Sequence, residues 1–257
     1  MIRFSSVILS VLLSAVGVSV QAATVVPLND TGQTACYDSA GAVVSCATNK
    51  DDGNYGRDAA YAAGALTKTG AGNAGFDFTK IANNGTTLGA GAALGGNPTD
   101  WACTRDNVTG LTWEVKTTDG GLRDWSNTYT WYSTDSASNG GNAGTASGGA
   151  CTGSINCDTQ SYVAAVNALN SGAGLCNHND WRMPSGQELH SLFDSSAGWI
   201  PWIDATYFPN TQADSFWSAN NYSPDPAYAW LEFLGYGWIG TRFKTDSIYV
   251  RLVRGGQ

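Results

Sequence analysis

The chain has 257 residues, a formal charge of −8 and only 13% charged residues, against 10 tryptophans and 32 glycines. That acidity excludes nucleic acid, anionic lipid and sulfated polymers as general partners, because each presents negative charge to a surface of the same sign. The aromatic content excludes a disordered acidic tail and leaves a globular, loop-rich protein.

The first expected element is an export signal. Arg3 precedes an apolar run from Ile8 to Val20, and Val20-Gln21-Ala22 fits a small-x-small cleavage pattern. Cleavage is expected after Ala22, with Ala23 the alternative, and delivers the chain to the periplasm, outer surface or medium. The run is shorter than the ~20 residues that cross a bilayer, and no later stretch is long and apolar enough to span one. Six cysteines follow: Cys36, Cys46, Cys103, Cys151, Cys157 and Cys176. An even set behind an export signal reads as disulfides, with the connectivity open. The short spacings suggest local clasps at Cys36–Cys46 and Cys151–Cys157, which would leave Cys103 with Cys176. There is no CxxC pair, and His178 and His190 are the only histidines, so no zinc site is expected.

Residues 23–100 read as a cysteine-clasped, Gly/Ala-rich N-terminal region, and 101–257 as the main domain. Within the first region, 62–99 is short of large apolar groups and is expected to be irregular surface loop. Asp106-Asn107 is a turn. Thr109–Lys116 alternates as a half-buried strand, with Leu111, Trp113 and Val115 on one face and Thr112, Glu114 and Lys116 on the other. Trp125–Tyr132 is either a strand or the start of an aromatic core layer. Ser133–Asn156 is a long Gly/Ser/Asn-rich segment, and such segments are functional or mobile. Asp135, Asn139, Asn142 and Asp158 offer oxygen donors there that would suit calcium. No EF-hand spacing is present, and a solvated loop is the plainer reading. No other cofactor is expected.

Two helices come next. Asp158 can cap the first, whose apolar positions Tyr162, Val163, Val166 and Leu169 lie at helical spacing; Gly172 and Gly174 end it. The second carries a capping box, Ser185 with Glu188, followed by Leu189, Leu192 and Phe193. Each has one apolar face, so the pair should cover a sheet. Ser215–Ala219, Tyr228–Leu234, Gly237–Phe243 and Ile248–Arg254 read as four strands of one antiparallel meander, with a hairpin turn at Gly235-Tyr236-Gly237. Helices segregated from strands give an α+β class: two helices on a twisted antiparallel sheet, loop-rich and disulfide-bearing.

Several stretches resemble one bacterial family. They are Asp30–Tyr37 (DTGQTACY), Asp106–Lys116 (DNVTGLTWEVK), Tyr162–Asn167 (YVAAVN), Leu175–Ser185 (LCNHNDWRMPS), Ile203–Pro209 (IDATYFP), Phe216–Ser218 (FWS) and Tyr249–Gly256 (YVRLVRGG). In order and spacing they are similar to the family named for the C-terminal domain of the Legionella collagen-like adhesin, Lcl. The resemblance implies a C-type-lectin-like fold, distantly similar to formylglycine-generating enzymes, and an adhesin role with glycosaminoglycan-like ligands. This chain has no collagen-like repeat and is acidic, so its ligand is expected to be a neutral glycan or a protein surface.

No catalysis is expected. His178, Asp180 and nearby serines lie in one short stretch, whereas triad members converge from separate elements; the plainer reading is a turn. The oxidase chemistry of the distant relatives needs cysteines in the C-terminal part, and none follows Cys176. Arg182 suits a carboxylate partner, Glu188 or Asp180. Trp113, Trp181 and Trp217 read as core. Recognition is better represented: Asn220, Asn221, Tyr222, Tyr228, Trp230, Glu232, Tyr236, Trp238 and Arg242 crowd the meander. Aromatic faces stack on sugar rings, and Asn, Glu and Arg bond hydroxyls; the same residue types anchor protein ligands. The expected function is an exported, lectin-like recognition or adhesion protein. The alternatives are a self-assembling subunit of a surface fibre or envelope scaffold, and a variable target protein of a diversity-generating retroelement.

Overall fold

A computed structural model describes residues 29–48, 51–153, 155–198 and 200–255. The expected export signal lies outside the described residues. No helix among them is long and apolar enough to cross a membrane.

The fold is α+β, mostly sheet with short helices, and carries three disulfides: Cys36–Cys46, Cys103–Cys176 and Cys151–Cys157. A small ribbon pairs β1 (Cys36–Tyr37) with β2 (Val43–Val44), and two short helices follow, α1 (Asp52–Tyr55) and α2 (Arg57–Ala62). The first main sheet runs β3 (Phe78–Ala82), β4 (Trp101–Asp106), β5 (Thr112–Glu114), then β9 (Val253–Arg254), all antiparallel. The second is a three-strand meander of β6 (Ser215–Asn221), β7 (Tyr228–Phe233) and β8 (Trp238–Phe243).

Two expectations are corrected here. Residues 62–99 are not all surface loop: Phe76 and Phe78 are fully buried, and β3 pairs with β4 across the expected boundary near residue 100. The closing strand does not extend the meander. The chain instead crosses along β6, where Trp217 N donates to Tyr249 O (2.9 Å), and ends beside β5, with Trp113 opposite Val253. This last segment ties the sheets together.

The helices form where local chemistry predicts them. Asp158 accepts from Ser161 N at 2.8 Å and starts α3 (Thr159–Asn167), which buries Tyr162 and Val166. Ser185 and Glu188 complete the capping box of α4 (Gly186–His190): Glu188 N donates to Ser185 Oγ at 3.2 Å and Ser185 N to Glu188 Oε2 at 2.7 Å. Leu189 and Leu192 bury against the sheet. Arg182 forks onto Glu188 (2.7 and 2.9 Å) and donates to Gly255 O, fixing the approach to α4 against the C-terminal strand. Asp180 pairs with Arg254 instead.

The core has two parts. One surrounds the buried Cys103–Cys176 bridge with Tyr129, Trp131, Tyr162, Trp181 and Trp217. Buried indoles need a partner, and Trp131, Trp181 and Trp217 each donate to a backbone carbonyl at 2.9 Å. Within Trp125–Tyr132 it is Tyr129 and Trp131 that enter the aromatic core while Trp125 is exposed, and the stretch is held by isolated bridges at Thr128, Tyr129, Thr130 and Tyr132 rather than as a strand. The second part gathers Phe76, Phe78, Trp113, Leu189, Phe208 and Phe216.

The expected half-buried strand is covered on both sides. Thr112, Glu114 and Lys116 are all buried. Lys116 Nζ sits 2.9 Å from Glu114 Oε1, Tyr162 OH donates to the same oxygen, and Leu252 N donates to Oε2 at 3.0 Å.

Candidate ligand-binding site

β7 places Tyr228, Trp230 and Glu232 on one sheet face, and the register sets Tyr228 opposite Phe243, Trp230 opposite Thr241 and Glu232 opposite Ile239. At the α4 end that face is covered, because Phe216 and Glu232 lie beneath the helix and are buried. At the other end it is open. There Tyr222 meets Trp230 edge-on (centroids 5.3 Å) and Tyr228 (6.3 Å), and Tyr228 lies 4.1 Å from Phe243. Phe243 is 48% exposed and the other three are half-buried. Four contiguous rings therefore form a platform at the solvent edge of the sheet. Edge-to-face and tilted packing orients the rings with respect to one another.

The remaining expected residues divide. Asn221 leaves the platform: a Cβ on Gly140 would lie 2.3 Å from its Nδ2, so its amide packs on the 133–156 segment. Asn220 Oδ1 accepts from Gly186 N at 2.9 Å, linking β6 to the start of α4. Tyr236 stacks on Phe233 (5.5 Å) at the hairpin, and Trp238, 54% exposed, stands opposite Phe233 in register, so both belong to a separate aromatic edge. Gly237 closes that hairpin with φ +64°, which a side chain would strain. Arg242 is exposed on the face away from Tyr228 and Trp230.

Glu232 is corrected as a ligand contact, because it is fully buried, with Oε1 3.1 Å from His190 Nδ1 and Oε2 without a partner. Burial pushes its carboxyl above the usual range, opposed by the His190 hydrogen bond. A raised carboxyl pKa stabilises the fold at acid pH, and the contribution is lost as pH rises through the folded value. Glu232→Gln is therefore expected to melt no lower than the native chain at pH 7, with any advantage shrinking on acidification. Melts at the two pH values check this; a large loss at pH 7 would show that His190 needs the charge.

The expected calcium donors are engaged locally. Asp135 accepts from Ala137 N and Ser138 Oγ, Asn139 Oδ1 from Gly141 N, and Asn142 Oδ1 from Gly144 N, while Asp158 caps α3. The cation inside this loop is Lys244. Its buried ammonium donates to Asn139 O (2.9 Å) and Asn142 O (2.7 Å) and lies 4.0 Å from the Trp131 ring centre. Beside the loop a cleft of about 610 Å³ is lined by Tyr132, Asp135, Gln160, Arg182 and Met183, among others.

A model of the Lcl C-terminal domain matches residues 102–254. The chain belongs to the Lcl C-terminal domain family. No curated protein and no solved structure matches it. The Lcl C-terminal domain match takes in β4 from its second residue, β5 to β9, α3, α4 and the whole platform. Sequence reasoning missed Phe243, the fourth ring. Its signal was the hairpin: once Leu234–Gly237 form the turn and Phe233 faces Trp238, counting outward pairs Tyr228 with Phe243.

Proposed function

We propose that the chain is an exported, non-catalytic recognition module of lectin-like fold that binds a neutral glycan on the platform of Tyr222, Tyr228, Trp230 and Phe243. The observation that carries this reading is the four-ring patch itself, contiguous and open to solvent beyond the part of the sheet that α4 covers. Such faces stack on the C–H faces of pyranose rings without needing opposite charge, which suits a chain of net charge −8. Membership of an adhesin-like domain family supports surface recognition. The signal-like N-terminus and three disulfides support export to an oxidising compartment. Of the groups once open to a catalytic reading, Asp180 has a structural partner in Arg254.

The test is a glycan array read with the native chain and with Trp230→Ala and Tyr228→Ala. Both side chains are half-exposed, so the variants should fold and melt near the native temperature. Each is expected to lose roughly tenfold or more in affinity, as central aromatic anchors do. Undiminished binding by both variants would sink the site. Saturable binding to proteins alone would move the ligand class from glycan to protein. Concentration-dependent polymers with no glycan signal would replace recognition by assembly.

A further inference from the structure

A second cluster lies before the family-matched residues. Asp30, Asp52 and Asp58 each bring one carboxylate oxygen to within 4.8 Å of the others. Asp52 opens α1 and Asp58 is the second residue of α2, with Gly56 between the helices. A Cβ on Gly56 would lie 2.6 Å from Asp58 Oδ1 and 2.7 Å from Asp52 Oδ1. Both oxygens therefore turn to the same point, and only a glycine leaves room for them. Asp30 arrives from the preceding segment; its Oδ1 accepts from Gly32 N (2.7 Å) and its Oδ2 from Asp58 N (3.2 Å).

An acidic cluster alone is common, but this one has a feature that calls for a ligand. Asp58 is 8% exposed, and its buried Oδ1 has no hydrogen-bond partner. Asp30 is 7% exposed. Among the described residues no Lys, Arg or His forms an ion pair with any of the three. The neighbouring Arg57 donates its Nε–H to Gly75 O at 3.1 Å. Burial above all, with the Asp30 and Asp52 charges, raises the Asp58 carboxyl, opposed chiefly by a backbone hydrogen bond from Ala59 and less by one from its own amide. Converging carboxylates with a buried orphan oxygen are costly unless paired or bound to a metal.

We propose that Asp30, Asp52 and Asp58 form a calcium site. The donors are all oxygen, which selects hard cations over zinc or copper. Calcium accepts six to eight oxygens in flexible geometry, whereas magnesium demands a near-ideal octahedron and keeps its waters. Donors drawn from an extended segment and two short helices suit the former. The ion has a mechanical role in this setting. Thr31 O accepts from Ser195 N (3.0 Å), and Asn29 Nδ2 donates to Asp106 Oδ2 (2.8 Å). Calcium would thus fasten α1 and α2 to a segment already laid on the main domain.

The purified full chain, disulfides intact and stripped with EDTA, is titrated with calcium chloride by calorimetry and by thermal melting. One ion is expected to bind with Kd on the order of 10⁻⁴ to 10⁻³ M, the range of extracellular modules, and the melting temperature should climb with calcium. Magnesium should bind at least about tenfold more weakly. Asp58→Asn should weaken calcium at least about tenfold, yet in EDTA melt at or above the native chain, because one buried like charge is gone. Asp52→Asn, at a less buried position, should weaken calcium likewise. The proposal is overturned if the native chain shows neither saturable heat nor a shifted melt at roughly 10 mM calcium, if both variants keep the native response, or if magnesium binds equally well.

Discussion

Replacing Cys103 and Cys176 together by alanine is expected to remove about 4 kcal/mol of stability, far more than opening either other bridge. The two residues lie 73 apart in sequence, and closing so long a loop removes a correspondingly large entropy from the unfolded chain. The bridge joins β4 to the segment after α3, and both cysteines are fully buried among Tyr129, Trp131 and Trp181. Cys151–Cys157 spans only 6 residues, for which the same chain-entropy reasoning gives roughly 2 kcal/mol. Against the 5–15 kcal/mol typical of whole domains, the first loss moves the midpoint a long way and the second modestly. Urea denaturation of both double variants measures the two differences. Equal losses would mean that the long bridge joins parts already held together in the unfolded state.

Local chemistry announced much of this fold. A side-chain acceptor at Asp158, the Ser185/Glu188 box and the glycine hairpin act within a few residues, so their signals survive without tertiary context. The three bridges follow the expected pairing because two loops are short and one pair remained. What was hidden is which surface each strand meets. Ile248, Val250 and Leu252 alternate identically whether the strand joins the meander or crosses to β5, so pattern alone favoured the nearer partner. Phe76 and Phe78 were diluted by a window of small residues, although Phe78, Lys80 and Ala82 alternate inward. The site was half legible for a related reason. Alternation put Tyr228, Trp230 and Glu232 on one face, but α4 lies over one end of it and turns Glu232 from a ligand contact into a buried partner of His190. Asp30, Asp52 and Asp58 drew no notice because single aspartates in turn-rich sequence read as solvated, and only folding shows them converging.

Glu114→Ala is expected to be the most disruptive single substitution at a charged position, costing roughly 3–5 kcal/mol as removal of one partner from a buried ion pair does. Glu114 is fully buried on β5 and accepts from Lys116, Tyr162 and Leu252 N. Removing it strands the Lys116 ammonium in an apolar site, with Arg251 also buried nearby, its Nη1 donating to Glu114 O at 2.7 Å. Lys116→Met should cost less, because Glu114 would keep the Tyr162 hydroxyl and Leu252 amide. Burial lowers Lys116 to about 8, with Glu114 opposing the fall. The sign of the pH effect follows. Between about pH 8 and the ordinary lysine value of 10.5 the unfolded chain holds a proton on this lysine that the folded chain has released, so the Lys116 contribution to stability rises with pH in that window. Native stability relative to Lys116→Met should therefore improve from pH 8 to pH 10, and unfolding midpoints at the two pH values give the answer. A difference that stays flat would mean the ammonium keeps its charge through the window, held there by Glu114 more strongly than burial opposes it. A Glu114→Gln, Lys116→Met double variant removes both charges with little change in shape, and it should recover most of what Glu114→Ala loses. Failure to recover would place the loss in the hydrogen bonds to Tyr162 and Leu252 rather than in the stranded charge.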